Sequence, residues 1–388
     1  MIVLDYPYVS RFLTDSVMEL GLPVLDTENA RRLTGGAGLN FIDEIEFSAR
    51  LGVGTRLYTN SENGLEHILR CRCNEDLVRQ VDICKDKALF RETVAPLHPD
   101  YRFARVAIDD LAEFDVSGFD CPFIVKPARG FFSLGVHLVK SHGQWPEVVR
   151  TILEEREALN AEYPEGVVDA GEFLVEAGID GEEYAIDVYY DGDGAPVITN
   201  ILHHHFVSGD DVSDRLYYTS ARILRERLEP FTDYVIRMGE ACALRNFPIH
   251  LEVRVTPEGG IVPIEANPLR FAGWCVADIT GHAWGFNPYE YYFKGLAPDW
   301  EAVLSTREGE VTTMVIADVP PGMDRDRIAG FDLQGFQSMF DNPLELREID
   351  YSAYPVFAFC FARMDEGGLA RLKTDLTEDF SRFVTLKG

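Results

Sequence analysis

The chain reads as a mixed protein: a small parallel α/β unit at the amino-terminal end, followed by a larger antiparallel, α+β region. Three observations carry this. Residues 1 to about 82 alternate short apolar strands with helical runs at the spacing of βαβ units. Further on, FPIHLEVRVTPEGGIVPIEANPLRFAG holds two alternating runs separated by a strong reversal signal. The composition, 388 residues with 46% apolar and 26% charged, is that of a folded soluble chain with room for two or three domains. A net charge of -29 argues against nucleic-acid and anionic-membrane partners, which need a basic patch. It leaves open a phosphorylated nucleotide, because a few lysines, backbone amides and a metal can reverse the field inside one cleft. The seven cysteines are scattered, with no zinc spacing, and reduced thiols are expected.

In chain order, Ile2-Val3-Leu4 predicts a first strand, Arg11 to Leu20 a helix, and Pro23-Val24-Leu25 a second strand. Asn40 to Leu51 has helical spacing, and a further strand is expected near Arg56-Leu57-Tyr58. The amino terminus, MIVLDYPYVS, lacks the basic and apolar regions of a signal peptide, so a cytoplasmic protein is expected. Gly35-Gly36-Ala37-Gly38 reads as a loop rather than a phosphate cradle, since no dinucleotide fingerprint surrounds it.

Asp86-Lys87 opens a helix reaching Thr93. Phe123-Ile124-Val125-Lys126-Pro127 is a buried strand ending in a lysine. The loop Ala128 to Val136 after it carries glycines and a serine, a backbone able to fold over phosphates with its amides inward. Gln144 to Asn160 predicts a helix, and Glu172 to Val175 a strand leading into Glu176-Ala177-Gly178-Ile179. Glu183 to Tyr190 and Val197-Ile198-Thr199 predict a pair of strands joined by Asp191-Gly192-Asp193-Gly194. His203, His204 and His205 follow; only alternate members of a strand face one way, so three successive histidines are not a zinc cluster.

In the hairpin, Leu251, Val253 and Val255 alternate with His250, Glu252 and Arg254, and Val262, Ile264 and Ala266 with Pro263, Glu265 and Asn267. A two-residue turn at Glu258-Gly259 places Glu252 opposite Glu265 and His250 opposite Asn267. Two facing carboxylates, roughly 5 Å apart at Cβ, repel unless something positive lies between them. A hard divalent cation accepting carboxylate and amide oxygens fits, as does an ordinary solvated hairpin face.

Taken together, Lys87, Lys126, the Phe131 to Gly135 loop, the Glu176 to Ile179 segment, Glu183, Glu252, Glu265 and Asn267 resemble the ATP-grasp superfamily, most of all its carboxylate-amine (amino-acid) ligase branch. The resemblance implies an ATP-grasp fold: a nucleotide clamped between two antiparallel sheets, with an N-terminal parallel-sheet domain (1–82), a central domain (83–300) with a lid at about 110–175, and a C-terminal α+β region (301–388). By this likeness Lys87 and Lys126 contact the phosphates of ATP, and Ser133 and Gly135 belong to the closing lid loop. Glu176, Ala177 and Ile179 meet adenine, and Glu183 holds the ribose. Glu252, Glu265 and Asn267 ligate Mg²⁺, or Mn²⁺ in its place. Arg270, Lys126 and His205 are the catalytic candidates. Arg270 sits one place later than the family arginine usually does, so a structural salt bridge is its other reading.

The activity implied is activation of a small carboxylate as an acyl phosphate, followed by attack of an amine. An enzyme of nucleotide or cofactor synthesis with a different acceptor and a non-catalytic nucleotide-binding regulator are the alternatives. Small acid and amine substrates are the expected partners, and a homodimer is a candidate assembly. For the last unit, strands are expected at Val311 to Ala317 and Tyr354 to Ala362, either as a separate small domain or as strands completing the central sheet. Tyr289, Tyr291, Tyr292 and Trp300 read as an interdomain seam.

Overall fold

Four short strands, β1 (Ile2–Val3), β2 (Pro23–Leu25), β3 (Asn40–Ile42) and β4 (Tyr58–Thr59), pair in parallel in the order β3-β2-β1-β4. Ile2, Val3 and Leu4 are fully buried, as an inner parallel strand requires. The computed structural model describes residues 1–36, 38–52, 54–71, 74–129, 135–162, 171–206 and 214–387. The predicted helix from Asn40 is corrected at its start. Asn40 to Ile42 is strand β3, and the helix begins at Glu44 because the Asp43 side chain caps it by accepting from the Glu46 N–H.

A second sheet, in the order β5-β8-β6-β7, is antiparallel and made of β5 (Phe103–Ala107), β6 (Phe123–Pro127), β7 (His137–Val139) and β8 (Glu172–Ala177). It packs on the helix Trp145–Glu162 through its own core, in which Phe123, Val125, Trp145, Ile152 and Val175 are buried.

The central sheet has eight strands, ordered β13-β12-β9-β10-β11-β14-β17-β16. These are β9 (Glu182–Tyr190), β10 (Pro196–His205), β11 (Leu216–Ser220), β12 (Phe247–Val255), β13 (Ile261–Pro268), β14 (Val311–Asp318), β16 (Pro343–Glu348) and β17 (Val356–Met364); β15 (Ile328–Phe331) pairs apart with β18 (Val384–Leu386). The strands after residue 300 therefore extend this sheet, β14 pairing with β11 along Leu216 to Ser220. One face carries Ile186, Val188, Leu251 and Val253 into a core shared with the 22-residue helix Ala221–Cys242, whose N-cap Ser220 accepts from the Ile223 N–H. The other face, through Ala185, Leu202, Tyr217 and Met314, meets the parallel unit. Tyr58 and Tyr289 pack edge to face at 5.3 Å in that seam, and the Tyr292 hydroxyl lies 2.9 Å from the carbonyl oxygens of both Leu57 and Asn246. Among the described residues no helix is long and apolar enough to cross a membrane.

Candidate active site

Strand register gathers the polar groups. Across β9, β12 and β13 three rungs stack on one face: Glu183 beside Arg254, then Ala185, Glu252 and Glu265, then Asp187, His250 and Asn267. Glu252 is directly opposite Glu265 and His250 opposite Asn267, the pairing the sequence predicts.

The turn that produces this pairing is not the predicted one. Thr256 and Gly260 flank a three-residue loop, closed by hydrogen bonds from the Thr256 N–H to the Gly260 carbonyl (2.8 Å) and from the Gly259 N–H to the Thr256 carbonyl (2.8 Å), with Gly259 at φ +84°. That loop alone would shift the pairing by one. A bulge between Glu252 and Val253 leaves Ile264 as the extra residue and restores it. On the loop side of the bulge the expected faces are exchanged, so Pro263 pairs with the core residue Val253 while Ile264 lines the cleft.

A cavity of about 300 Å³ lies between the central sheet, the β5-β8-β6-β7 sheet and the parallel unit. Lys87, Lys126, Glu252, Glu265, Asn267 and Arg270 all line it. Lys87 is the first residue of the helix Lys87–Val94, anchored by its own N–H to the Ala128 carbonyl, and its Nζ is 3.0 Å from Glu265 Oε2. Asn267 Nδ2 donates to Glu265 Oε1 at 3.1 Å, and Arg270 Nη2 donates to Asn267 Oδ1 at 2.8 Å.

Electrostatics divide the two facing carboxyls. Burial, Glu265, Glu183 and Asp214 push the Glu252 carboxyl well above the usual range. Burial opposes the charge of Glu265 too, but Lys87 and Lys126 hold its carboxyl below that range. Two acids that face each other across a hairpin are the arrangement a dication relieves. Among the described residues no three His, Cys, Asp or Glu side chains form a metal cluster. Two carboxylates and an amide fit a hard cation whose shell is completed by phosphate oxygens.

The other candidates lie elsewhere. Ser133, with 130–134, is outside the described residues. Gly135 has φ +71°, and a Cβ there would come 3.0 Å from Pro127 Cγ. Glu176 is buried and ion-paired, Oε1 to Lys126 Nζ at 2.6 Å and Oε2 to Arg91 Nη2 at 2.7 Å; burial works against its charge, yet the two cations keep its carboxyl below the usual range. The Ala177 carbonyl accepts from the Tyr101 hydroxyl at 2.7 Å, and the Ile179 carbonyl from Arg254 Nη1 at 2.7 Å. Glu183 is held by His204 Nδ1 at 2.8 Å and Arg254 Nε at 3.0 Å.

His205 is corrected. The strand expected to end at Thr199 runs on as β10 to His205, so alternation decides which histidines share a face. His204 faces the cleft side, opposite Glu183 and stacked on Tyr217 at 4.1 Å; His203 packs against Tyr184 and Tyr218 on the other side, and His205 shares its face.

Several cleft residues escape sequence reasoning. Asn60, Ser61 and Glu62 enter from the loop after β4, and Leu202, Trp274, Val276, Met314 and Ile316 make an apolar wall. Asp187 stands behind His250 and had a signal: one acid in the apolar run Tyr184-Ala185-Ile186-Asp187-Val188-Tyr189-Tyr190.

After Asn267 the chain turns sharply, with Leu269, Trp274 and Cys275 at φ +56°, +55° and +56°. Non-glycine residues held there cost about 1–3 kcal/mol each and persist only where the surroundings impose them. Arg347 on β16 supplies part of that, donating from Nη1 to the Cys275 carbonyl at 3.0 Å and from Nη2 to Asp278 Oδ2 at 2.7 Å. Glu345 completes the cluster: burial opposes its charge, but His282 and Arg347 hold its carboxyl at about 2. A depressed carboxyl stabilises the fold above the ordinary carboxylate range and loses that effect as pH falls toward its folded value. The melting-temperature gap between wild type and Glu345→Gln should therefore narrow steadily below about pH 5. A gap as wide at pH 3 as at pH 7 would refute the ion pairing.

Residues 119–278 match the family model described as the ATP-grasp domain. No curated protein matches the chain. Among solved structures, an L-amino acid ligase from Bacillus licheniformis superposes with TM-score 0.74 at 14% identity, covering 100% of this chain and 98% of that one. N5-carboxyaminoimidazole ribonucleotide synthetase from Thermotoga maritima gives 0.64 at 15% identity, covering 99% and 98%. Biotin carboxylase from Campylobacter jejuni, as its βγ-ATP complex, gives 0.64 at 14%, covering 100% and 92%. At these identities the likeness establishes the fold.

Proposed function

Because the chain carries an ATP-grasp domain, we propose that it is an ATP-dependent ligase that activates a small acid, an amino acid, as an acyl phosphate and joins it to an amine. The observation that carries this reading is the joint placement of Lys87, Lys126, the facing pair Glu252 and Glu265, and Arg270 around one cavity. An oxygen of the acid attacks the γ-phosphorus and the bond to ADP breaks. The amine nitrogen then attacks the acyl carbon, the C–O bond to phosphate breaks, and the proton of the amine leaves to solvent.

Lys87 and Lys126 are assigned to the phosphates, and Glu252, Glu265 and Asn267 to Mg²⁺, which when bound neutralises the charge of the transferring phosphoryl group. Arg270 presents a fixed fork of donors, suited to the acyl phosphate and the oxyanion that forms from it. The walls keep the acid in line and exclude water.

The apolar wall is assigned to the side chain of the acid. A wall of Leu202, Met314 and Ile316 offers nothing to a charged side chain, so kcat/KM should be at least about 10-fold lower for acidic or basic amino acids than for Leu or Met as the acid component. Equal values across such a panel would remove this assignment.

The whole reading is tested by incubating the protein with Mg-ATP and pools of acids and amines while following phosphate. Release that needs both an acid and an amine is expected. Release with non-amino-acid acids alone favours the nucleotide- or cofactor-synthesis alternative, and ATP binding without turnover in any pool favours a regulator.

A further inference from the structure

We infer that Asp187 is a positioning residue: with Arg347 on the opposite side, it holds the turn that carries Arg270 in its left-handed form and ties that turn to strand β12. The inference rests on the ligase reading only for what Arg270 does; the clamp itself is geometric.

Asp187 is 1% exposed and does not line the cavity. Its Oδ1 accepts from His250 Nδ1 at 2.7 Å and from the Ala272 N–H at 3.0 Å, so one oxygen binds both β12 and the turn. Through His250, whose Nε2 is 3.7 Å from Glu252 Oε1, it reaches the paired carboxylates. On the other side Arg347, 4% exposed, grips the Cys275 carbonyl while its charge is matched by Asp278.

Three non-glycine residues at positive φ, Leu269, Trp274 and Cys275, fall within the seven positions that these anchors at Ala272 and Cys275 hold. A chain takes that path only where contacts over-determine it, and the two buried charged groups at Ala272 and Cys275 are contacts of that kind. The nucleotide groups Lys87 and Lys126 stand on other elements, the helix Lys87–Val94 and strand β6. Loosening the turn should therefore leave nucleotide binding and lower the chemical step. A carboxylate kept only to fill a core would show no such division.

The test uses the full chain with Asp187→Asn, and Arg347→Lys as a second variant that keeps the charge but loses the fork. Hydrogen exchange over 268–278 should speed up by roughly 10-fold or more. ATP affinity measured without Mg²⁺ should stay within about 3-fold while kcat for acid-dependent phosphate release falls roughly 10- to 100-fold. Combined with Arg270→Lys, either variant should add little to the loss caused by Arg270→Lys alone, because both act on one group. Unchanged exchange in both variants, multiplying losses, or nucleotide affinity falling along with melting temperature would overturn the inference. If Asp187→Asn does not fold, Arg347→Lys decides by the same readings. Should wild type release no phosphate in any pool, the ligase reading falls, and exchange over 268–278 still judges the clamp.

Discussion

Glu265→Gln should leave the fold intact and lower acid- and amine-dependent phosphate release by at least about 100-fold, because a cation interaction strongest in the transition state is lost. Glu265 is held from three sides in the cavity, 3.0 Å from Lys87 Nζ, bonded to Asn267 Nδ2, and opposite Glu252. Glutamine keeps the shape and the acceptor for Asn267 but cannot carry the charge. The fold tolerates the change since the Glu265 side chain lines the cavity, a quarter exposed, and glutamine still offers Lys87 Nζ an acceptor. Circular dichroism and melting temperature check the first half, and phosphate release at saturating Mg²⁺ the second. Near-normal turnover would sink the metal assignment.

Arg270→Lys should leave ATP affinity within a few fold while kcat falls roughly 10- to 1000-fold, the loss of one oriented donor set, with Arg270→Ala worse. Its Nη2 is bonded to Asn267 and its Nη1 to the Phe271 carbonyl, while its buried Nε has no partner among the described residues. That geometry replaces the structural salt bridge, as no carboxylate pairs with Arg270 among the described residues. Calorimetry of ATP binding and phosphate release on the same preparation separate the outcomes. Lost ATP binding in a folded protein would move Arg270 to the nucleotide, and unaffected turnover would make it a packing residue.

Much of the site is legible in local pattern. Lys87 at a helix start, Lys126 at a strand end and the polar face of the hairpin each follow from residues within about ten positions of one another. What escapes is set at long range. Asp187 and Ala272 meet across 85 positions, and Arg347 and Cys275 across 72. The face of His205 is not legible locally because it depends on where the strand begins and on each bulge along it, and β10 has one between Ile198 and Asn200. The hairpin pairing matches the expected one although its turn differs, since loop and bulge shift the ladder by one residue each in opposite senses. Asn40 to Ile42 reads as helix from spacing alone because a three-residue strand and a helix start look alike until the Asp43 cap is weighed.

The bulge also sets which changes of length this hairpin can survive. Ile264 is supernumerary: the rungs Val253 with Pro263 and Glu252 with Glu265 close on either side of it. Deleting Ile264 would take one tile from the cavity wall and let the ladder run on as a regular strand, with Glu265 and Asn267 still pointing at the cleft. Deleting Ala266 instead would turn Asn267 toward the helices and drag the arginine turn one place along. Insertions and deletions in proteins built this way should therefore be found on the loop side of Glu265 and be missing from the four residues that follow it.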